Sequence, residues 1–345
     1  MFRSSLLALA LGSGVVAATT PAGPPSDFQA ELNALLVHDL KFSPADLADL
    51  ERGKIVRHTL PPSDPGELSA VGAVRISANK ERLAAAYRDI VHFKRNANVL
   101  EIGRFSKPPE PSDLDALTIT KDDLDLRNCR VGDCGIRLPA DGIHRFEKEI
   151  DWRRADADAR AASMFKQMLI DNVRSYTSGG PGRITQYDDD SAPITPVRDF
   201  HAILKSSPYL DVALPGLRAH LEAFPVEPLP GAEDFLYWSK EKFGFAPFIS
   251  VTHVTIVPEG PHESIATTRD VYSSRYFDAS LALAIASDSA RDPNAFYLVY
   301  VNRSRASALR GAFAKIRRSI AERRVRASLE DNLRDVKQRL ELSSN

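Results

Sequence analysis

The side chains in this sequence that could do chemistry are polar residues set into apolar strands. In ISVTHVTIV, His253 shares a face with Ile249, Val251 and Val257. In VYSSRYFDASLALAI, Arg275 falls with Val271, Phe277, Leu281 and Leu283, while Tyr272, Tyr276 and Asp278 fall on the opposite side. FLYWSKE puts Trp238 and Lys240 together on one side. If these strands wall a cavity, such groups would hold the polar head of a ligand, because an unpaired charge is costly to bury. The same pattern also suits partnered sheet residues, an Arg275–Asp278 pair for instance, or side chains that point outward. Both readings stay open at this level.

Other chemistries leave less trace. Cys129 and Cys134 are the only cysteines, spaced C-x4-C around Gly132-Asp133. The spacing suits a structural disulfide pinning a local hairpin. Redox motifs favour C-x-x-C, and haem attachment needs C-x-x-C-H. The eight histidines are scattered, with no pair at zinc-helix spacing, so no metal and no cofactor is expected. G-x-S-x-G, a Walker loop and a strand-to-helix G-x-G-x-x-G are missing from the sequence. SGGPGR follows a helical pattern and reads as a loop. No catalytic residue is assigned.

The composition is that of a globular chain: 345 residues, 43% hydrophobic and 26% charged, with a formal net charge of -1. That balance gives no global field for nucleic acid. MFRSSLLALALGSGVVAATTPAGPP carries an early Arg3, an apolar run from Leu6 to Val16, and then small residues. It reads as a cleavable export signal over residues 1–18, implying a periplasmic or secreted protein. The run is shorter than the ~20 residues a spanning helix needs.

The elements that must position these residues follow in order. Residues 19–52 form N-terminal helices and linker, with Ser43-Pro44-Ala45-Asp46 as a helix start. Strands are predicted at Lys54–Leu60 and Leu68–Ser77, a helix at Lys80–Ile90, and a strand at Ala97–Gly103. The region of about 114–225 is mostly helical, clearest over Ala155–Tyr176, and FPVEPLPG leads back into strands. Those are Glu233–Lys240, Phe248–Val257, a long Ile265–Ala286 and Ala295–Val301. A helix from about Ser304 to the C-terminus closes the chain. Its positions Leu309, Phe313, Ile316 and Ile320 share one face expected to meet the sheet, whereas Leu329, Leu333, Val336 and Leu340 fall nearly opposite. Arg and Lys dominate its exposed positions, as on a solvated face or one that touches a membrane peripherally.

This order is α+β, with an antiparallel sheet and a long last helix. The stretches GKIVRHTL, ELSAVGAVRISANKERLAAAYRDI, VLEIGRF and YLVYVNRSRASALRGAFAKIRRSIAERR resemble the START and Bet v 1-like superfamily. The resemblance covers about 53–104 and 233–340. It implies a helix-grip domain over 53–345, a curved sheet gripping the C-terminal helix, interrupted by the helical insertion. It also implies a cavity for an apolar, lipid-like molecule, bound without catalysis. Two alternatives remain: an enzyme of cyclase or hydrolase type on the same scaffold, and an envelope interaction protein with a filled core.

Overall fold

The computed structural model describes residues 28–121, 123–244, 246–257, 262–311 and 313–342. The expected export signal, residues 1–18, lies outside the described residues.

The chain folds as α+β around one antiparallel, eight-stranded curved sheet in the order β1-β2-β8-β7-β6-β5-β4-β3. The strands are β1 Val56–His58, β2 Glu67–Ile76, β3 Val99–Arg104, β4 Glu233–Phe243, β5 Ala246–Val257, β6 Glu263–Ser273, β7 Ala279–Ser289 and β8 Asp292–Arg305. Residues 265–286, expected as one strand, are instead the hairpin β6–β7. Tyr276, in the left-handed region at φ 66°, and the turn around it reverse the chain. Strand β8 runs on to Arg305, so the last helix starts later than expected, at Ala314.

Alternation along the strands divides the sheet into two faces. The outer face carries Leu236, Trp238, Ile249, Val251 and Tyr272, which join a core built by α5 (Ala140–Glu149) and α6 (Ala157–Gly179). It also carries Val71, Leu281, Ile285 and Val299. These pack with α1 (Phe28–Ala34), α2 (Pro44–Glu51), α7 (Pro196–Lys205), α8 (Tyr209–Ala213) and α9 (Leu217–Ala223). The expected start of α2 is present: Ser43 accepts from the Asp46 amide, Asp46 accepts from the Ser43 amide, and Pro44 is the first helical residue.

The inner face is covered at one end by α3 (Glu81–Arg88) and α4 (Ile90–Phe93), through Leu83, Ala84, Tyr87 and Ile90. The closing helix α10 (Ala314–Leu342) lies along β2 rather than across the strands. Arg318 donates to the Glu67 carbonyl, Lys337 to the Arg75 carbonyl, and Glu341 accepts from the Ser77 amide. The lengths match: Arg318 to Glu341 rises about 35 Å at ~1.5 Å per residue, and Glu67 to Ser77 about 33 Å at ~3.3 Å per residue. Gly72 makes this approach possible, since a Cβ there would sit 2.6 Å from Leu333 Cδ1.

The stripe on α10 is the reverse of the expected one. Leu329, Leu333 and Leu340 are buried against the sheet, whereas Phe313, Ile316 and Ile320 are 75%, 60% and 46% exposed; Leu309, in the turn before the helix, is buried. The helix has one apolar seam to give to β2, and the leucines of its second half, set against Gly72, occupy it.

Candidate functional site

Along the inner face, each strand changes character. On β8, Phe296 and Leu298 lie in the apolar core, and the next positions on that face are Tyr300, Asn302 and Ser304. On β5, Ile256 and Val254 give way to Thr252 and Ser250. On β6, Ala266 gives way to Thr268 and Asp270, and on β7, Ala286 and Ala284 give way to Ser280. Antiparallel register places these polar ends side by side: Tyr237 opposite Thr252, Thr252 opposite Asp270, and Ser280 opposite Ser304. They line a cleft of about 190 Å3, completed by Lys94, Glu241, Phe248 and Phe277.

A bulge sets the aim of Asp270. Pairing passes from Thr252–Asp270 to Val251–Tyr272, leaving Val271 as an extra residue. Val271 and Tyr272 both enter the outer core, and Asp270 keeps the inner side. Without that extra residue, the face presented by one half of the strand would flip.

The electrostatics of the cleft rest on three charged groups. Lys94 Nζ donates to Glu241 Oε1 at 2.9 Å and to the Tyr237 hydroxyl at 3.2 Å. Burial opposes its charge, but Glu241 and Tyr237 outweigh burial and hold Lys94 well above its ordinary range. Burial likewise works against the Glu241 carboxylate; Lys94 and Ser239 overcome it and keep Glu241 below its usual value. Asp270 has no such cation. Its one side-chain bond is from Thr252 Oγ1 at 3.2 Å, and burial pushes it up to about 7, only partly countered by Lys94. Among the described residues no cation forms an ion pair with it. Tyr300 is raised to about 12 by burial and stays a neutral hydroxyl. The cleft thus offers hydroxyl donors, one internally neutralised ion pair, and a carboxyl that ionises around neutrality. At one end, Phe277 lies 5.3 Å from Phe243 and 6.2 Å from Phe248, ring to ring, as an aromatic lip. Among the described residues no cluster of three or more His, Cys, Asp or Glu could hold a metal ion.

Apart from Tyr276, the residues singled out in the sequence lie away from this cleft, on the helix-covered side or in the hairpin turn. Trp238 is fully buried, donating from Nε1 to the Asp113 carbonyl at 2.8 Å. Lys240 is buried against Asp123 at 2.7 Å. Tyr272 donates to the Arg137 carbonyl at 3.0 Å. The Arg275–Asp278 pair does not form: Arg275 donates to the Asp123 carbonyl at 2.9 Å, and Asp278 takes Arg137 at 2.7 Å. Tyr276 bonds the Ala246 backbone at 2.9 Å and joins the aromatic lip, 5.2 Å from Phe243.

His253 belongs to a polar node that is buried except at Asp234, whose side chain is 20% exposed. Asp234 Oδ1 meets His253 Nε2 at 3.0 Å, His220 Nε2 at 3.1 Å and Thr255 Oγ1 at 2.7 Å. His220 Nδ1 also faces the Glu227 carbonyl at 2.7 Å, so both its nitrogens meet acceptors, an arrangement that favours the imidazolium. Burial opposes that charge, but Asp234 and the Glu227 carbonyl raise His220 above its usual value. Burial lowers His253, which is therefore the neutral partner, donating from Nε2 and accepting at Nδ1 from the Tyr176 hydroxyl at 2.8 Å. The order Asp–His–Tyr is that of a proton relay, but Tyr176, His253 and His220 are 0%, 1% and 2% exposed. The node fastens α6 and α9 to the sheet.

Cys129 and Cys134 are disulfide-bonded, with Cα atoms 4.3 Å apart. No helix among the described residues is long and apolar enough to cross a membrane. No protein-family model, no curated protein and no solved structure matches the chain. Lys94, Tyr237, Glu241, Asp270, Tyr300 and Asn302 were not singled out from sequence. The signal that could have found them is the loss of apolar residues on one face partway along several strands, as in Phe296-Leu298-Tyr300-Asn302-Ser304.

Proposed function

We propose that this protein is a helix-grip binding protein that holds a small amphipathic molecule, with the polar head in the inner-face cleft. The single observation that carries this reading is Asp270, a carboxyl without a cationic partner among the described residues, on the floor of a hydroxyl-lined cleft. The volume argues against a whole lipid inside the sheet: pockets for drug-sized ligands hold ~300–1,000 Å3, and this cleft has about 190 Å3. A head group fits, and the Phe243–Phe248–Phe277 lip gives its apolar part a surface to lie on. The head that suits Asp270 is an ammonium with hydroxyl neighbours, since it would restore the ionised carboxylate that burial disfavours. Start-to-end element order and a closing helix beside the sheet support the helix-grip assignment. An export signal would place the protein in the periplasm or outside the cell.

Thermal-shift titration with a short-chain alkylammonium amphiphile, against an alkyl sulfate of equal length, tests this. The expected result is stabilisation by the ammonium compound alone, growing as pH rises through 7 and lost in Asp270→Asn. Equal shifts from both compounds, or an unchanged response in Asp270→Asn, would remove the cleft as the binding site. A second reading, an enzyme on the same scaffold, draws on the same carboxyl: a group titrating near 7 suits general acid–base work. Turnover of a bound amphiphile that is lost in Asp270→Asn would favour it over simple carriage.

A further inference from the structure

The first half of α10 presents an apolar ridge that no part of the described chain covers. Ile316 and Ile320 project at helical spacing, four residues apart, and are 60% and 46% exposed; Phe313, just before the helix at φ 62°, is 75% exposed beside them in sequence. Arg323, Arg324 and Lys315 are exposed around them, and among the described residues none of the three is in an ion pair. Beside the ridge lies a concavity of about 470 Å3 lined by Arg57, Arg323, Arg326, Ala327, Glu330 and Asp331. Its two acids are already engaged: Glu330 pairs with Arg57 and Arg334, and Asp331 with Arg334. Arg323 and Arg326 are left without carboxylate partners among the described residues.

We infer that this half-helix docks the protein on an anionic lipid surface. Apolar side chains flanked by arginines along a helix lying in a bilayer plane are the physical requirement for interfacial binding. The apolar residues enter the acyl boundary, and the cations meet head-group phosphates. Arg323 and Arg326, converging on one concavity, suit a phosphate better than scattered charges would. Charge complementarity selects this occupant over a second copy of the chain. Pairing two ridges face to face would bring Arg323 and Arg324 of both copies together. The ridge is on the far side of α10 from Leu329 and Leu333, which pack on β2, so docking leaves the sheet undisturbed.

Co-sedimentation of the full chain with phosphatidylglycerol/phosphatidylcholine vesicles, and with phosphatidylcholine vesicles alone, tests the inference. Binding is expected to the anionic vesicles only and to weaken as salt is raised. Ile316→Ser/Ile320→Ser and, separately, Arg323→Glu/Arg326→Glu should each weaken it about tenfold or more, with melting temperatures unchanged. No binding to anionic vesicles, or binding by both double variants as strong as the parent's, overturns the proposal. A fall in melting temperature of the serine variant would show the ridge to be packed and would overturn it too. So would a concentration-dependent dimer that the serine variant abolishes, which would assign the ridge to self-association.

Discussion

At the scale of the residue, Asp270 is the group whose environment and neighbours disagree most. Its carboxyl is raised by burial to about 7, against 3.8 for the free side chain. A carboxyl whose folded pKa is raised binds more protons in the folded state. Its stabilising contribution is complete below about pH 4 and is lost as pH rises through 7. Asp270→Asn should therefore flatten the decline in stability between those limits and gain about 2 kcal/mol at pH 8, discounted for the partial exposure of the cleft. Urea unfolding of the two proteins at a series of pH values measures this. Parallel profiles would show that Asp270 titrates as an ordinary surface carboxylate. His253 acts in the opposite sense: burial lowers it, so its contribution is lost as pH falls below the ordinary histidine range.

At the scale of the element, α10 shows how two apolar stripes on one helix can have different fates. Leu329 and Leu333 sit over Gly72, where the strand has no side chain to hold the helix away. Ile316 and Ile320 are out of phase with that seam, Phe313 precedes the helix, and all three remain outside the seam. Leu333→Ala should cost about 2–5 kcal/mol, the range for emptying a buried leucine site. Phe313→Asp should stay within about 0.5 kcal/mol of the parent, as exposed substitutions do. Chemical denaturation of both variants decides which stripe is the packed one; a larger loss in Phe313→Asp would reverse the assignment.

At the scale of the whole molecule, buried ion pairs tie the helical layer to the sheet. Arg305 on β8 meets Asp199 on α7 at 3.0 Å and Lys240 on β4 meets Asp123, while Arg303 and Glu67 pair within the sheet, between β8 and β2. Arg137 bonds both Asp189 at 2.8 Å and Asp278 at 2.7 Å, joining the segment before α5 to the β6–β7 turn. One guanidinium cannot fully neutralise two buried carboxylates, and Asp278 is pushed up by burial to about 6 in spite of it. Arg137→Met would leave both carboxyls buried without a cation and should cost about 3–5 kcal/mol. Adding Asp278→Asn should recover part of that loss. Thermal melts of the parent, both single variants and the double variant form the test, and strict additivity would show that the two residues are not coupled.

The sequence by itself determined the α+β class, most strand positions, the helix start at Ser43 and the cysteine bridge. Each depends on local periodicity, capping chemistry or short-range spacing, and local physics suffices for those. Only the tertiary structure decided that 265–286 is a hairpin, since a polar turn inside a run of alternating residues looks like more strand until pairing with β5 and β8 is known. The same holds for the candidate site. Trp238, Lys240, His253 and Tyr272 drew attention as polar or aromatic residues among apolar neighbours, and they are interior contacts of the helical layer. Asp270 was hidden among TTRD, a stretch with no apolar contrast, and its aim depends on a one-residue bulge at Val271. Which face of a strand meets helices and which meets a cleft is a property of the whole sheet, because it is set by what the rest of the chain leaves uncovered.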